Sequence, residues 1–74
     1  MAWAANYRQN FIADRLVSPG FVNRKNLTDQ FGISIAQASI DLNRFLRERP
    51  GLMIYDKTAK RYVRVPGKFA HAPT

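Results

Sequence analysis

The feature that most constrains the fold of this chain is a glycine between two segments with helical patterns. Before Gly32, the apolar residues Leu27 and Phe31 are spaced four apart, as on one buried face of a helix. After it, Ser34 is followed three residues later by Gln37, the S-x-x-Q pattern of a capping box at a helix start. Glycine also adopts the backbone angles that end helices. The sequence therefore predicts two helices joined by a tight turn, the second beginning at Ser34.

The segment after Ser34 has a clear apolar face. Ala38, Leu42 and Phe45 recur at helical spacing, so we expect them to be buried against the other helices. Pro50 places the end of this helix near Arg49. Asp41 is expected to be a charge on the helix surface, paired with a nearby arginine.

Two β-favouring segments follow this helix. Residues 52–55 and 61–65 are apolar runs, and the basic segment 56–60 between them is typical of a turn. We expect a β-hairpin in which Tyr55 and Tyr62 pair across the strands.

The N-terminal third completes the architecture. Helical spacing of apolar residues predicts a first helix over residues 6–17, fraying back towards Trp3. Residues 18–20, Ser-Pro-Gly, break this helix, and Phe21 with Val22 could form a short strand beside the hairpin. The order of elements predicts an α+β winged helix-turn-helix over residues 1–66, with three helices, a C-terminal hairpin wing and a flexible tail at 67–74.

Charge indicates the class of partner. Twelve Lys and Arg residues against five Asp and Glu residues give a net charge of +7, and residues 32–74 carry eight of the twelve basic groups. A small domain with this balance favours a polyanion, because basic side chains neutralise phosphates and release counterions. Charge alone fits DNA, RNA or an anionic membrane surface.

Composition argues against several other classes. The chain has no cysteine and one histidine, so we expect no metal site and no cofactor. Its apolar runs are far too short to cross a bilayer, and we expect a soluble, intracellular protein without membrane contact. The five carboxylates are scattered along the sequence, which does not favour an enzyme.

Longer motifs carry a resemblance to a known family. The stretches FIADRL, FVNRKNLTDQFGISIAQASIDLNRF and PGLMIYDKTAKRYV lie within residues 8–63. Together they resemble the N-terminal winged helix-turn-helix domain of bacterial WYL-domain regulators, which are DeoR-like, and especially the repressors found beside phage-defence operons. The pairing of GISxxQASxDL with YDKTAKRYV is more specific than helical periodicity alone.

The resemblance implies a transcriptional repressor that binds double-stranded DNA as a homodimer at an inverted repeat. Residues 34–48 would form the recognition helix in the major groove, and residues 52–65 the wing against the DNA backbone. The implied location is the bacterial cytoplasm, on the nucleoid when bound. Family members continue into a WYL domain and a C-terminal dimerisation segment, and these 74 residues contain neither.

Candidate base contacts lie on the outer face of the recognition helix near its start. Polar side chains there can hydrogen-bond to bases, and apolar ones can contact thymine methyl groups. The candidates are Ile35, Ala36, Gln37, Ser39, Ile40 and Asn43. The alternative for Gln37 is helix capping, and for Ile35 and Ile40 it is burial against the wing or a partner chain.

Candidate phosphate contacts come from three places: the start of the second helix, the recognition helix and the wing. They are Arg24, Lys25, Ser34, Arg44, Arg47, Lys57, Thr58, Lys60 and Arg61, with Arg64 beside them on the wing. For Ser34 the sole role of a helix cap is preferred. The alternative for each basic residue is a solvated surface charge.

Two questions stay open from the sequence. Trp3, Tyr7 and Phe11 could close the core or form a stripe for a second subunit. The fold also serves as a protein-interaction or RNA-binding module, which is the alternative to duplex DNA binding. A basic recognition helix and a basic wing favour DNA binding over protein interaction. The lack of an aromatic stacking platform favours duplex DNA over single-stranded RNA.

Overall fold

The computed structural model describes residues 2–66, with side chains from residue 4 onward. Its elements are α1 (Ala2–Val17), β1 (Phe21–Val22), α2 (Arg24–Phe31), α3 (Ile35–Glu48), β2 (Met53–Asp56) and β3 (Arg61–Arg64). Three helices and a three-stranded antiparallel sheet confirm the predicted α+β winged helix. The tail predicted at residues 67–74 and the side chain of Trp3 lie outside the described part of the chain.

The sheet has the order β1-β3-β2, so the short first strand pairs with the wing as predicted. Phe21 lies opposite Val63 in this register. Tyr55 lies opposite Tyr62, and their ring centroids are 4.8 Å apart, which confirms the predicted pair. β2 is an edge strand, so the wing reaches solvent along one side.

The turn of the wing is one residue shorter than the predicted segment 56–60. Asp56 belongs to β2 and pairs with Arg61, which leaves residues 57–60 as the turn. The Asp56 carboxylate accepts hydrogen bonds from the backbone N–H groups of Thr58 and Ala59, at 3.0 and 3.1 Å. Asp56 thus shapes the turn by the local side-chain bonding that aspartate favours at turn starts.

The core forms where all three helices meet the inner side of the sheet. Its buried members are Ile12, Leu16, Val22, Leu27, Ala38, Leu42, Phe45 and Met53. The predicted buried face of α3 is confirmed. Phe31, expected to be buried, is only half-buried, and its ring meets that of Phe11 edge to face at 5.3 Å. Phe11 therefore closes the core instead of standing free on α1.

Capping residues determine where α2 and α3 begin. Asn23 and Asn26 exchange reciprocal bonds at 2.8 Å, each side chain accepting from the other's backbone N–H. Gly32 ends α2 in the left-handed conformation, with φ of 66°. Ser34 Oγ accepts from the Gln37 backbone N–H at 3.0 Å and opens α3. Only this half of the predicted Ser34 and Gln37 box forms, because the Gln37 side chain is bonded elsewhere.

Candidate nucleic-acid interface

The side of α3 that faces away from the core is the candidate reading surface. At about 100° of rotation per residue, its members fall within an arc of about 140°. They are Ile35, Ala36, Ser39, Ile40 and Asn43. Ile35 is 55% exposed and Ile40 is 60% exposed, so neither is buried by the wing or by α1. The structure therefore brings five of the six candidate base contacts to one exposed face.

The start of α2 lies against this face. Arg24 Nη1 donates a hydrogen bond to Ser39 Oγ at 3.4 Å, which places a guanidinium beside the middle of the reading surface. Lys25, the next residue of α2, donates to the Asp29 carboxylate at 2.8 Å, and both side chains are well exposed. An exposed pair of this kind is weak, so Lys25 can exchange its partner for a phosphate at little cost.

Gln37 is the candidate base contact that the structure directs inward. Its side-chain Nε2 donates to Asp41 Oδ1 at 3.1 Å, and the residue is half-buried. The bond runs along the helix from i to i+4. Gln37 therefore supports α3 internally.

Asp41 is buried, at 3% exposure, and the expectation of a surface charge is wrong. Its expected pairing with an arginine is confirmed, because Arg8 Nε donates to Oδ2 at 2.6 Å and Arg8 Nη2 to Oδ1 at 3.3 Å. Gln9 Nε2 donates to the Asp41 backbone carbonyl at 2.8 Å. We call Arg8, Gln9, Gln37 and Asp41 the Asp41 cluster.

The Asp41 cluster attaches α3 to α1 through polar contacts at one point. A buried carboxylate is costly unless it is paired and hydrogen-bonded, and here it accepts from two side chains. Sequence reasoning missed Arg8 and Gln9. A signal was present for Asp41, which lies three residues after Ala38 and four before Phe45, on the flank of the buried stripe.

Basic groups continue from α3 to the wing. Arg44 donates to Glu48 at 3.1 Å as an i to i+4 pair, and Arg47 is exposed one turn after Asn43. All four residues of the wing turn are exposed, among them Lys57, Thr58 and Lys60. The candidate phosphate contacts thus occupy α2, α3 and the wing tip.

Arg61 differs from the other candidate phosphate contacts. Its guanidinium carbon lies 4.0 Å from the centroid of the Phe21 ring, and the side chain is half-buried. Its Nε is buried without a hydrogen-bond partner within residues 2–66. Arg64 Nη1 donates to the Val17 carbonyl at 3.4 Å. Arg61 thus packs β3 against β1 through a cation–π contact, and Arg64 connects β3 to the end of α1.

Neither a metal site nor a membrane-spanning helix is found in the described part of the chain. No group of three or more His, Cys, Asp or Glu side chains within residues 2–66 is placed to hold a metal ion. None of the helices described here is long and apolar enough to span a bilayer.

Comparison with known proteins gives consistent matches. The family model described as the BrxR transcriptional regulator winged helix-turn-helix domain matches residues 4–70.

Curated relatives of the chain include proteins named DNA-binding transcriptional repressor CapW. The one from Escherichia coli strain KTE188 is 42% identical over 60 residues, covering 81% of this chain and 20% of that protein. The Pseudomonas aeruginosa relative is 40% identical over 60 residues, with the same coverage. The Stenotrophomonas maltophilia relative is 38% identical over 64 residues, covering 86% of this chain and 21% of that protein. The chain spans about a fifth of the length of the relatives it matches.

Proposed function

This chain belongs to the family of BrxR-type winged helix-turn-helix domains, and from that membership we propose that it binds double-stranded DNA in a sequence-specific way. The recognition helix α3 enters the major groove, and the wing lies against the DNA backbone. The relatives named as DNA-binding transcriptional repressors support this assignment.

The observation that carries the proposal is the exposed face of α3 with basic groups around it. Four of its five side chains are exposed, and the fifth, Ser39, is half-buried beside Arg24. Arg24 reaches this face from α2, and Arg47 extends it towards the C-terminal end of α3. A convex helix face with cations beside it matches the shape and charge of a major groove between two phosphate backbones.

The proposed contacts divide into two groups. Base edges are contacted by Ile35, Ala36, Gln37, Ser39, Ile40 and Asn43. Phosphates are contacted by Arg24, Lys25, Ser34, Arg44, Arg47, Lys57, Thr58, Lys60 and Arg61. Gln37 and Arg61 have internal contacts in the free chain, so each must exchange a partner to reach DNA. The remaining contacts require only surface rearrangements.

The proposed regulatory effect comes from occupation of a promoter by the bound protein. We propose that two copies bind an inverted repeat as a homodimer, with their recognition helices in successive major grooves, and that the complex represses transcription by blocking the promoter. Half-sites would then be about 10 base pairs apart, centre to centre, or a multiple of that. Changing this spacing by five base pairs should abolish tight binding of two copies and leave binding of one.

The test of DNA binding is fluorescence anisotropy of the chain on two labelled duplexes. One is the duplex upstream of the gene that encodes the chain, and the other is a scrambled duplex of equal composition, each titrated with salt. Tighter binding to the native duplex, with steep salt dependence on both, is the expected result.

Other outcomes would contradict the proposal in distinguishable ways. Equal, salt-sensitive binding to both duplexes would leave a basic domain without sequence specificity. Tighter binding to single-stranded RNA than to either duplex would favour the RNA-binding alternative, and no nucleic-acid binding would favour a protein-interaction module.

A further inference from the structure

The reading surface has fewer available polar groups than the sequence suggests. The candidate Gln37 lies off this face and donates its amide to Asp41, and on the face itself Ser39 Oγ accepts from Arg24. Asn43 is exposed, and the remaining exposed side chains of this face are Ile35, Ala36 and Ile40. The surface that meets the groove is therefore mainly apolar.

Ile35 and Ile40 lose little side-chain entropy on contact with a partner. A β-branched side chain on a helix has one strongly preferred χ1 rotamer, so it loses little freedom when it packs against a partner. Both are more than half exposed, and contact would remove that apolar surface from water. In the major groove, the apolar group that a base pair presents is the 5-methyl of thymine.

We propose that α3 selects A·T base pairs through thymine 5-methyl groups, which Ile35 and Ile40 contact. Asn43 adds the polar part of the same preference, because an asparagine amide pairs with adenine N6 and N7 in bidentate fashion. This inference rests on the proposed DNA binding and specifies its ligand: a half-site whose α3 contacts are dominated by thymine and adenine.

The charges around this face favour DNA over an apolar protein partner. Arg24 lies at Ser39 on one side, and Arg44 and Arg47 follow towards the end of α3. An apolar partner protein would leave these guanidinium groups desolvated without acceptors, which is costly. A groove that combines methyl groups on its floor with phosphates on its rims satisfies both parts of the surface.

The experiment begins with selection of a site by the 74-residue chain from a random duplex library. Each thymine of the selected site is then replaced singly by deoxyuridine, which removes the 5-methyl and preserves base pairing and the minor groove. We expect about fourfold weaker binding for each contacted methyl, which is about 0.8 kcal/mol for one buried carbon group.

Variants identify the side chains responsible. In Ile35→Ser and Ile40→Ser, the difference between thymine and deoxyuridine should disappear at one position each, since the methyl has lost its partner. Ile54→Ser is the matched control, because Ile54 is equally exposed, at 54%, but lies on wing strand β2. It should retain the full difference at every position.

Two results would overturn the inference while leaving duplex binding intact. One is selection of a site that binds equally with thymine and deoxyuridine throughout. The other is a preference for thymine over deoxyuridine that survives in both α3 variants. That result would mean that the preference arises from DNA shape and not from contact with Ile35 or Ile40. Failure of the library to yield any bound duplex would overturn the proposed DNA binding as well.

Discussion

At the scale of the residue, two kinds of side chain meet around α3. Exposed groups on its outer face, such as Asn43, can reach base edges, whereas Arg24 and Lys25 at the start of α2 carry charge. Base contacts discriminate between sequences, and phosphate contacts strengthen binding to all sequences alike. Substitutions of the two kinds should therefore differ in what they change.

The first prediction concerns this division. Reversing the charge of Arg24 and Lys25 to glutamate should weaken binding to cognate and scrambled duplexes by similar factors. Asn43→Ala should weaken cognate binding by about 5- to 150-fold and change scrambled binding little, because a good base contact is worth about 1–3 kcal/mol. Anisotropy titrations on both duplexes measure these effects.

Ser39→Ala is the informative intermediate case. Ser39 accepts a hydrogen bond from Arg24, so its loss should affect both duplexes, with a larger effect on the cognate one. Equal losses on cognate and scrambled duplexes for all of these variants would refute the division into base and phosphate contacts.

At the scale of the element, the position of α3 depends on its polar attachment to α1. Arg8 is half-buried, and its partner Asp41 is almost fully buried, so the pair is shielded from solvent. Removing one member of a buried pair leaves an uncompensated charge, which destabilises far more than the loss of a surface pair.

The second prediction follows from this burial. Arg8→Met should lower the free energy of unfolding by about 3 kcal/mol, because the Asp41 carboxylate then has no cationic partner. Combining it with Asp41→Leu should recover much of that loss, since both charges are gone. Asp29→Asn, which breaks the exposed pair with Lys25, is the control and should change stability by less than about 1 kcal/mol. Urea denaturation measures all three, and an Arg8→Met loss as small as the control would contradict the account.

The third prediction concerns the turn between α2 and α3. Gly32 has φ of 66°, and a Cβ added there would meet no atom within 4 Å. The cost of Gly32→Ala is therefore conformational, about 1 kcal/mol. Gly32→Asn should cost less, because asparagine tolerates the left-handed region. Thermal unfolding compares the two variants, and equal stability of Gly32→Ala and the parent chain would contradict this assignment.

At the scale of the whole molecule, most of the net charge of +7 comes from residues 24–66, which carry nine of the twelve basic groups and four of the five acidic ones. The described acidic groups near this surface are engaged locally: Asp29 pairs with Lys25, Glu48 with Arg44, and Asp56 caps the wing turn. The exposed lysines of the wing turn are thus available to the DNA backbone.

The fourth prediction uses the salt dependence of binding. Each phosphate contact contributes about −0.9 to the slope of log affinity against log salt concentration. Replacing Lys57 and Lys60 together by alanine should therefore make the slope shallower by about 2, with sequence preference unchanged. An unchanged slope would mean that the wing does not contact the DNA backbone.

The order of elements was predictable because each one depends on local signals. Apolar periodicity defined α1 and α3, Gly32 marked the turn, and the alternation of short apolar runs with a basic turn indicated the wing. The Asp41 cluster was not predictable in full, since Arg8 and Asp41 are 33 residues apart and meet only through tertiary packing. The same applies to Arg61, whose position over Phe21 depends on the pairing of β1 with β3.

The most direct test of the central claim is a backbone amide NMR titration of the isotope-labelled chain with its selected duplex. A chain of 74 residues is small enough for every amide to be followed. We expect the largest shift changes at residues 35–43 of α3, with smaller changes at residues 24–25 and 57–60. Changes confined to α1 and the outer edge of β2, with α3 unaffected, would contradict the assignment of α3 as the DNA-reading element.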